Sequence, residues 1–226
     1  MVVVQNDANG PEDGGGARFR PEPSSYLMTF MDIVNMITHM TLGAVAFITI
    51  FLGIMYVPVL RQHIILTVVG YVILMTQSIL VLSSHNGWSR TIRYKDRKIV
   101  HLLMQVFGSI LAIAGNIVVM VEKNVHFNTT HGILGLVAMI FTIISLVGGA
   151  FHLYIHCMPR VTCLLHCIIG ALTMIIGFLA LIFGIEETFR TVFGNASTNL
   201  LICLTVMSLV GTLLPCCLKL QRGCKF

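Results

Sequence analysis

Charge is what this sequence has least of: charged residues fill 10% of its 226 positions, against 56% hydrophobic, and the mean hydropathy is +0.90. So thin a polar surface excludes an ordinary soluble domain and leaves an integral membrane protein as the class. The small basic excess, a formal charge of +5, does not make a nucleic-acid binder. Its lysines and arginines stand between apolar runs, where they set the orientation of spans. No secretory leader is expected either, because no short apolar core lies beside a small-residue cleavage site near the start. The first hydrophobic span is therefore expected to direct insertion.

What is present begins with a polar stretch from Met1 to about Phe30, containing Gly14-Gly15-Gly16, Pro21 and Pro23. It has too little apolar surface to fold and reads as a disordered cytosolic tail, residues 1–30. Six apolar stretches follow, near Asp32–Val59, Gln62–Ser84, Ile99–Val121, Thr130–Ile155, Val161–Ile185 and Thr198–Leu218. Each is long enough to cross a hydrocarbon core of about 30 Å, and none alternates as a barrel strand would. The expected fold is all-α: a six-transmembrane-helix bundle over residues 31–218, with residues 219–226 as a cytosolic C-terminal tail.

Six crossings put both termini on one side. That side holds eleven basic residues, namely Arg18, Arg20, Arg90, Arg93, Lys95, Arg97, Lys98, Arg160, Lys219, Arg222 and Lys225. The other has Arg61, Lys123 and Arg190. The positive-inside rule then makes both termini cytosolic. The two Asn-x-Ser/Thr tripeptides, at Asn128 and Asn195, fall on the opposite side, as glycan acceptors would. Of the seven cysteines only Cys203 is placed towards that side, so no disulfide framework is expected.

Histidine carries the chemistry. His63, His101, His131 and His166 each stand near the start of a separate apolar span, and an imidazole in hydrocarbon is costly without a partner. Spans 2 and 4 start on the non-cytosolic side and spans 3 and 5 on the cytosolic side. The four therefore sort into two couples, His63 with His131 and His101 with His166, about 20 Å apart along the membrane normal. Two histidines with no carboxylate or cysteine at the same depth suit axial ligation of haem iron, whereas zinc takes four ligands. Gly70 and Gly108, two turns beyond His63 and His101, and Gly135 and Gly170, one turn beyond His131 and His166, keep ligand-bearing faces bare for a flat macrocycle or let helices pack closely. The interval from His63 to His101 in spans 2 and 3 nearly equals that from His131 to His166 in spans 4 and 5, which reads as a duplicated hairpin.

The order and spacing of these histidines, with the context His131-Gly132-Ile133-Leu134-Gly135-Leu136, resembles the cytochrome b561 family over about Gln62 to Ile185, and most closely its cytochrome b561 domain-containing branch. The resemblance implies a central four-helix haem-binding core at residues 62–185. It implies two b-type haems, each held between two histidines, His63 with His131 and His101 with His166. It also implies a transmembrane ascorbate-dependent ferrireductase or monodehydroascorbate reductase. Electrons would pass from cytosolic ascorbate to ferric iron or monodehydroascorbate beyond the membrane. The family is often dimeric, so a homodimer is the implied assembly. The membrane would be an endomembrane, of the endoplasmic reticulum or a vesicle, or the plasma membrane.

Better-known members carry a motif ending in tyrosine and arginine at the cytosolic end of helix 2, tied to ascorbate. This chain reads Ile79-Leu80-Val81-Leu82-Ser83-Ser84-His85 there. The nearby basic stretch of Arg90, Arg93, Lys95, Arg97 and Lys98, beside Trp88 and Tyr94, is the candidate contact for an anionic donor. Holding the loop in the cytosol is the plainer role for each of these residues. His39, Gln77 and Gln105 are candidates for interhelical bonds or a haem propionate, and His126 for the outer ligand in place of His131 or for a contact to the acceptor substrate. Glu186, Glu187 and Arg190 are expected in an outer loop, where carboxylates attract cations. The rival function from another class is a transporter or channel whose histidines bind a divalent metal or relay protons.

Overall fold

The computed structural model describes residues 25–83, 86–122, 127–154 and 159–221. The tail before Ser25, together with His85, Lys123, His126, His156, Cys157, Arg222, Cys224 and Lys225, lies outside the described residues, as do the side chains of His152, Arg160 and Lys219. Every regular element described is helical. Helix α1 is Ser25–Tyr56, α2 is the run Pro58–Leu80, α3 is Tyr94–Glu122, α4 is Thr130–Tyr154 and α5 is Pro159–Gln221. All five are long and apolar enough to cross a membrane.

Two of these helices are irregular in ways that matter. Helix α2 starts as a 3-10 turn at Pro58–Leu60, becomes α over Arg61–Thr67, widens to π over Val68–Met75 and returns to α over Thr76–Leu80. Helix α5 is broken at Gly194, whose φ of 73° and ψ of 177° a side chain would not tolerate. The break divides α5 into arms at 159–193 and 195–221. The first arm runs antiparallel to α4: His131 meets Gly184, and Gly149 meets His166. The second arm returns along α1: Phe193, at the end of the first arm, packs edge-on to Tyr56, and a side chain at Gly211 in the second would overlap Thr38. Helices α2 and α3 form another antiparallel pair, with Gly70 against Gly108 and Ala112.

The bundle is sorted for lipid. Phe178, Met75, Met174, Leu80 and Val45 are fully buried, while Phe47, Phe51, Met55 and Leu200 are exposed apolar side chains. Water would penalise that outer face; hydrocarbon does not. Many interior hydroxyls are satisfied locally instead. The hydroxyls of Thr38, Thr67, Thr76, Thr142, Thr173, Thr205 and Thr212 all bond carbonyls one turn back. Such bonds keep a polar side chain inside an apolar bundle at little cost.

The observed ends depart from the expected ones for physical reasons. Helix α1 begins at Ser25, ahead of Asp32, because Tyr26, Met28 and Phe30 extend its apolar pattern. Helix α3 begins at Tyr94, ahead of Ile99, with Asp96 in its first turn, where a carboxylate complements the helix dipole. Lys95, Arg97 and Lys98 are thus helical. The fifth span does not end at Ile185: it continues to residue 193, and Glu186, Glu187 and Arg190 belong to the helix. Glu186 and Arg190 form an ion pair one turn apart, which supports continuation.

Close approach sets the α2–α3 contact. A β-carbon at Gly70 would lie 2.7 Å from the Gly108 carbonyl oxygen and 2.8 Å from the Ala112 nitrogen. Gly70→Val is therefore expected to destabilise the bundle by about 1–3 kcal/mol through overpacking. Gly43→Val, where nothing lies within 4 Å, is expected to be near neutral. Equilibrium unfolding of both variants by sodium dodecyl sulfate in mixed micelles checks this contrast.

Candidate functional site

The structure brings the four histidine rings together as two couples. The centroids of His63 and His131 are 6.0 Å apart with ring planes at 81°, and those of His101 and His166 are 6.4 Å apart at 90°. His63 and His131 meet near the start of α2 and of α4. His101 and His166 meet at the end that also carries Ser78 and the basic residues of α3. Within each couple the rings come from different hairpins, one from α2–α3 and one from α4 and the first arm of α5.

Backbone carbonyls hold three of the rings. The Nδ1–H of His63 donates to Gly115 O at 2.9 Å, that of His101 to Ser78 O at 2.6 Å and that of His131 to Ala180 O at 2.7 Å. A carbonyl only accepts, so the proton must be on Nδ1, and Nε2 keeps its lone pair. Each acceptor belongs to the other helix of the donor's own hairpin. Gly115 follows His101 by the same interval, about four turns of helix, as Ala180 follows His166. Ser78 follows His63 by one position more, and the π stretch of α2 accounts for the extra residue. The duplicated hairpin expected from the sequence thus has a counterpart in the bonding.

These couples fit a metal held between them. With a metal–nitrogen bond of about 2.0–2.1 Å and roughly 1.1 Å from ring nitrogen to ring centre, two imidazoles on one metal have centroids about 6.3 Å apart. The observed separations bracket that value. Around His63 and His131 lies a cavity of about 170 Å³, lined among others by Thr67, Asn116, Gly135, Phe178 and Gly184. The four glycines noted in the sequence divide in role. Gly70 and Gly108 serve helix contact, whereas Gly135 and Gly170 face nothing nearer than Asn116 Oδ1 at 3.5 Å and Ser145 Oγ at 3.8 Å. Those two leave space beside a ligand.

A helical membrane bundle with paired imidazoles across its hairpins is of the class that holds a flat redox group between facing helices. Comparison with known proteins gives the family: residues 62–191 match eukaryotic cytochrome b561, and the chain belongs to that family. It is 27% identical over 175 residues to the transmembrane reductase CYB561D2 of Bos taurus and to that of Mus musculus, covering 72% of this chain and 79% of each relative. The Homo sapiens protein of that name shows the same identity and coverage. No solved structure matches this chain. Membership implies b-type haem, and the Nε2 lone pairs, ring separations and cavity suit that group.

The remaining sequence candidates have other partners. His39 donates from Nε2 to Asn86 Oδ1 at 3.1 Å and accepts at Nδ1 from the Gln77 amide at 2.9 Å, so it ties α1 to α2 and to the α2–α3 connection. Gln105 accepts from the Ser78 hydroxyl. At the basic end Arg90 pairs with Asp32 at 2.5 Å, Arg93 with Asp96 at 2.8 Å, and Lys98 lies 5.0 Å over the Tyr94 ring. Arg97 is the staple: it donates to Ile92 O at 2.9 Å, Arg90 O at 3.2 Å and Ser83 O at 3.3 Å. Across the bundle Glu186 is engaged by Arg190, and Glu187 lines the cavity. Thr49 and Asn116, which no sequence signal singled out, line it too.

Arg97→Gln is expected to loosen the α2–α3 connection. Amide exchange over residues 86–92 should rise about tenfold, the equivalent of about 1.4 kcal/mol. Lys95→Gln, measured alongside by hydrogen–deuterium exchange, should leave it unchanged.

Proposed function

We propose that this chain is a transmembrane reductase that carries electrons across the bilayer through two b-type haems, one between His63 and His131 and one between His101 and His166. The observation that carries this reading is the pair of imidazole couples at 6.0 and 6.4 Å, with Nδ1 of three rings committed to carbonyls. The haems would supply one-electron carriers in a dry interior. The protein orients the ligands, holds their tautomer and buries the space between the couples. His101 and Gly115 lie about four turns apart on α3, so the two levels are about 21 Å apart along the bundle. Phe178, Met174, Met75 and Tyr71 are buried in that interval.

The reading extends to topology and substrates. Six crossings follow if both arms of α5 span the bilayer, with α2, α3, α4 and the first arm as the haem core and both termini cytosolic. The donor on that side is ascorbate, attracted by the field of Arg90, Arg93, Lys95, Arg97 and Lys98. Ferric iron or monodehydroascorbate is the acceptor on the other side. Divalent-metal transport is disfavoured because, among the described residues, no three His, Cys, Asp or Glu side chains come together as a metal site would need.

Protein purified from haem-replete cells is expected to hold two b-type haems per chain, read by visible absorption and haem extraction. His101→Ala or His166→Ala should remove one, and His63→Ala or His131→Ala the other. Vesicles loaded with ascorbate should reduce external ferric chelate, and any single ligand variant should lower that rate at least tenfold. A colourless preparation, or His101→Ala with both haems intact, overturns the reading.

A further inference from the structure

Helix α4 and the first arm of α5 carry a second regularity on their shared face. Gly149 follows His131 by the same interval as Gly184 follows His166. That interval makes about five full turns, so each glycine lies on the same face as its own helix's histidine, about 27 Å away. The helices run antiparallel, and each glycine lies against the histidine of the other. A β-carbon on Gly184 would fall 2.9 Å from both Cε1 and Nδ1 of His131. One on Gly149 would fall 3.1 Å from Cε1 of His166 and 3.6 Å from its Nδ1.

We infer that Gly149 and Gly184 are positioning residues, each a seat cut into one helix that sets the orientation of the imidazole projecting from the other. The inference rests on the haem reading above. The His131 ring is held between the Gly184 surface and the Ala180 carbonyl, which receives its Nδ1–H at 2.7 Å. A methyl group on Gly184 must push the ring along or away from that hydrogen bond, because no real β-carbon sits 2.9 Å from a ring atom. The seat at Gly149 is a few tenths of an ångström looser. Substitution there asks the His166 ring to give less. The two seats should therefore respond separately and unequally.

The test uses full-length protein loaded with haem. Electron paramagnetic resonance of the ferric state reports the angle between the two imidazole planes at each iron, which a loss of general stability does not move. Potentiometric titration supplies a second readout. Gly184→Ala is expected to shift the low-spin signal that His131→Ala removes, and to leave the other in place. Gly149→Ala should shift the signal that His166→Ala removes, by a smaller amount. Gly148→Ala, where nothing lies within 4 Å, should leave both at their wild-type positions. Loss of one haem with the other signal intact supports the same assignment. Unmoved signals in Gly184→Ala, or equal displacement or equal loss of both signals in either variant, overturns it. Wild-type protein without two low-spin signals would instead remove the haem reading itself.

Discussion

The hydrogen bond from an imidazole Nδ1 to a backbone carbonyl on the neighbouring helix is the constraint on which the rest of this structure depends. It does three things at once. It places the proton on Nδ1 and leaves the ring's lone pair on Nε2. It gives a buried polar group its partner, without which a histidine in hydrocarbon would be strongly disfavoured. It also ties the two helices of a hairpin at a chosen register, because the carbonyl that accepts is a particular residue about four turns from that helix's own histidine. The ligand, its protonation and the helix alignment are set by one contact.

Around those contacts many of the bundle's other polar groups find partners. The hydroxyls of Thr76, Ser78, Thr205 and Ser208 bond back to the preceding turn, and Tyr71, buried between the two histidine levels, meets Thr142 at 2.8 Å. Side-chain bonds between helices gather at the basic end, where His39, Gln77, Asn86 and Asn35 connect α1 to the rest. The opposite end has a cavity beside His63 and His131 and a carboxylate, Glu187, on its lining. The two ends thus differ in charge while each holds an imidazole couple.

Much of this was legible in the residues. Long apolar runs mark the helices because lipid leaves the backbone few alternatives, and four histidines at matching depths stand out where ionisable groups are rare. What was not legible is what lacks a side-chain signature. The carbonyls of Gly115, Ser78 and Ala180 act through the backbone, which every residue has. Gly149 and Gly184 are two among 20 glycines, and their role appears only once the partner helix is in place. Charge misled at the helix ends: Glu186 and Arg190 read as a loop, yet at one-turn spacing they neutralise each other and the helix carries on. Likewise the basic run before His101 winds into the first turns of α3, where Asp96 and the carbonyls capped by Arg97 stabilise it.

The π stretch of α2 follows from the same register argument. In the α4 hairpin, about four turns of regular helix separate His166 from Ala180, whose carbonyl accepts from His131. In the α2 hairpin, the interval from His63 to Ser78 is one residue longer. A regular helix would rotate that additional residue about 100° past the facing position and raise it about 1.5 Å, turning its carbonyl away from His101. Widening Val68–Met75 into a π ladder absorbs one residue, and Ser78 returns to the facing position. At the end of that stretch the Thr76 hydroxyl bonds Val72 O at 2.6 Å and Ile73 O at 3.1 Å. The irregular helix is thus the means by which one hairpin, longer by a residue, keeps the imidazole geometry of the other.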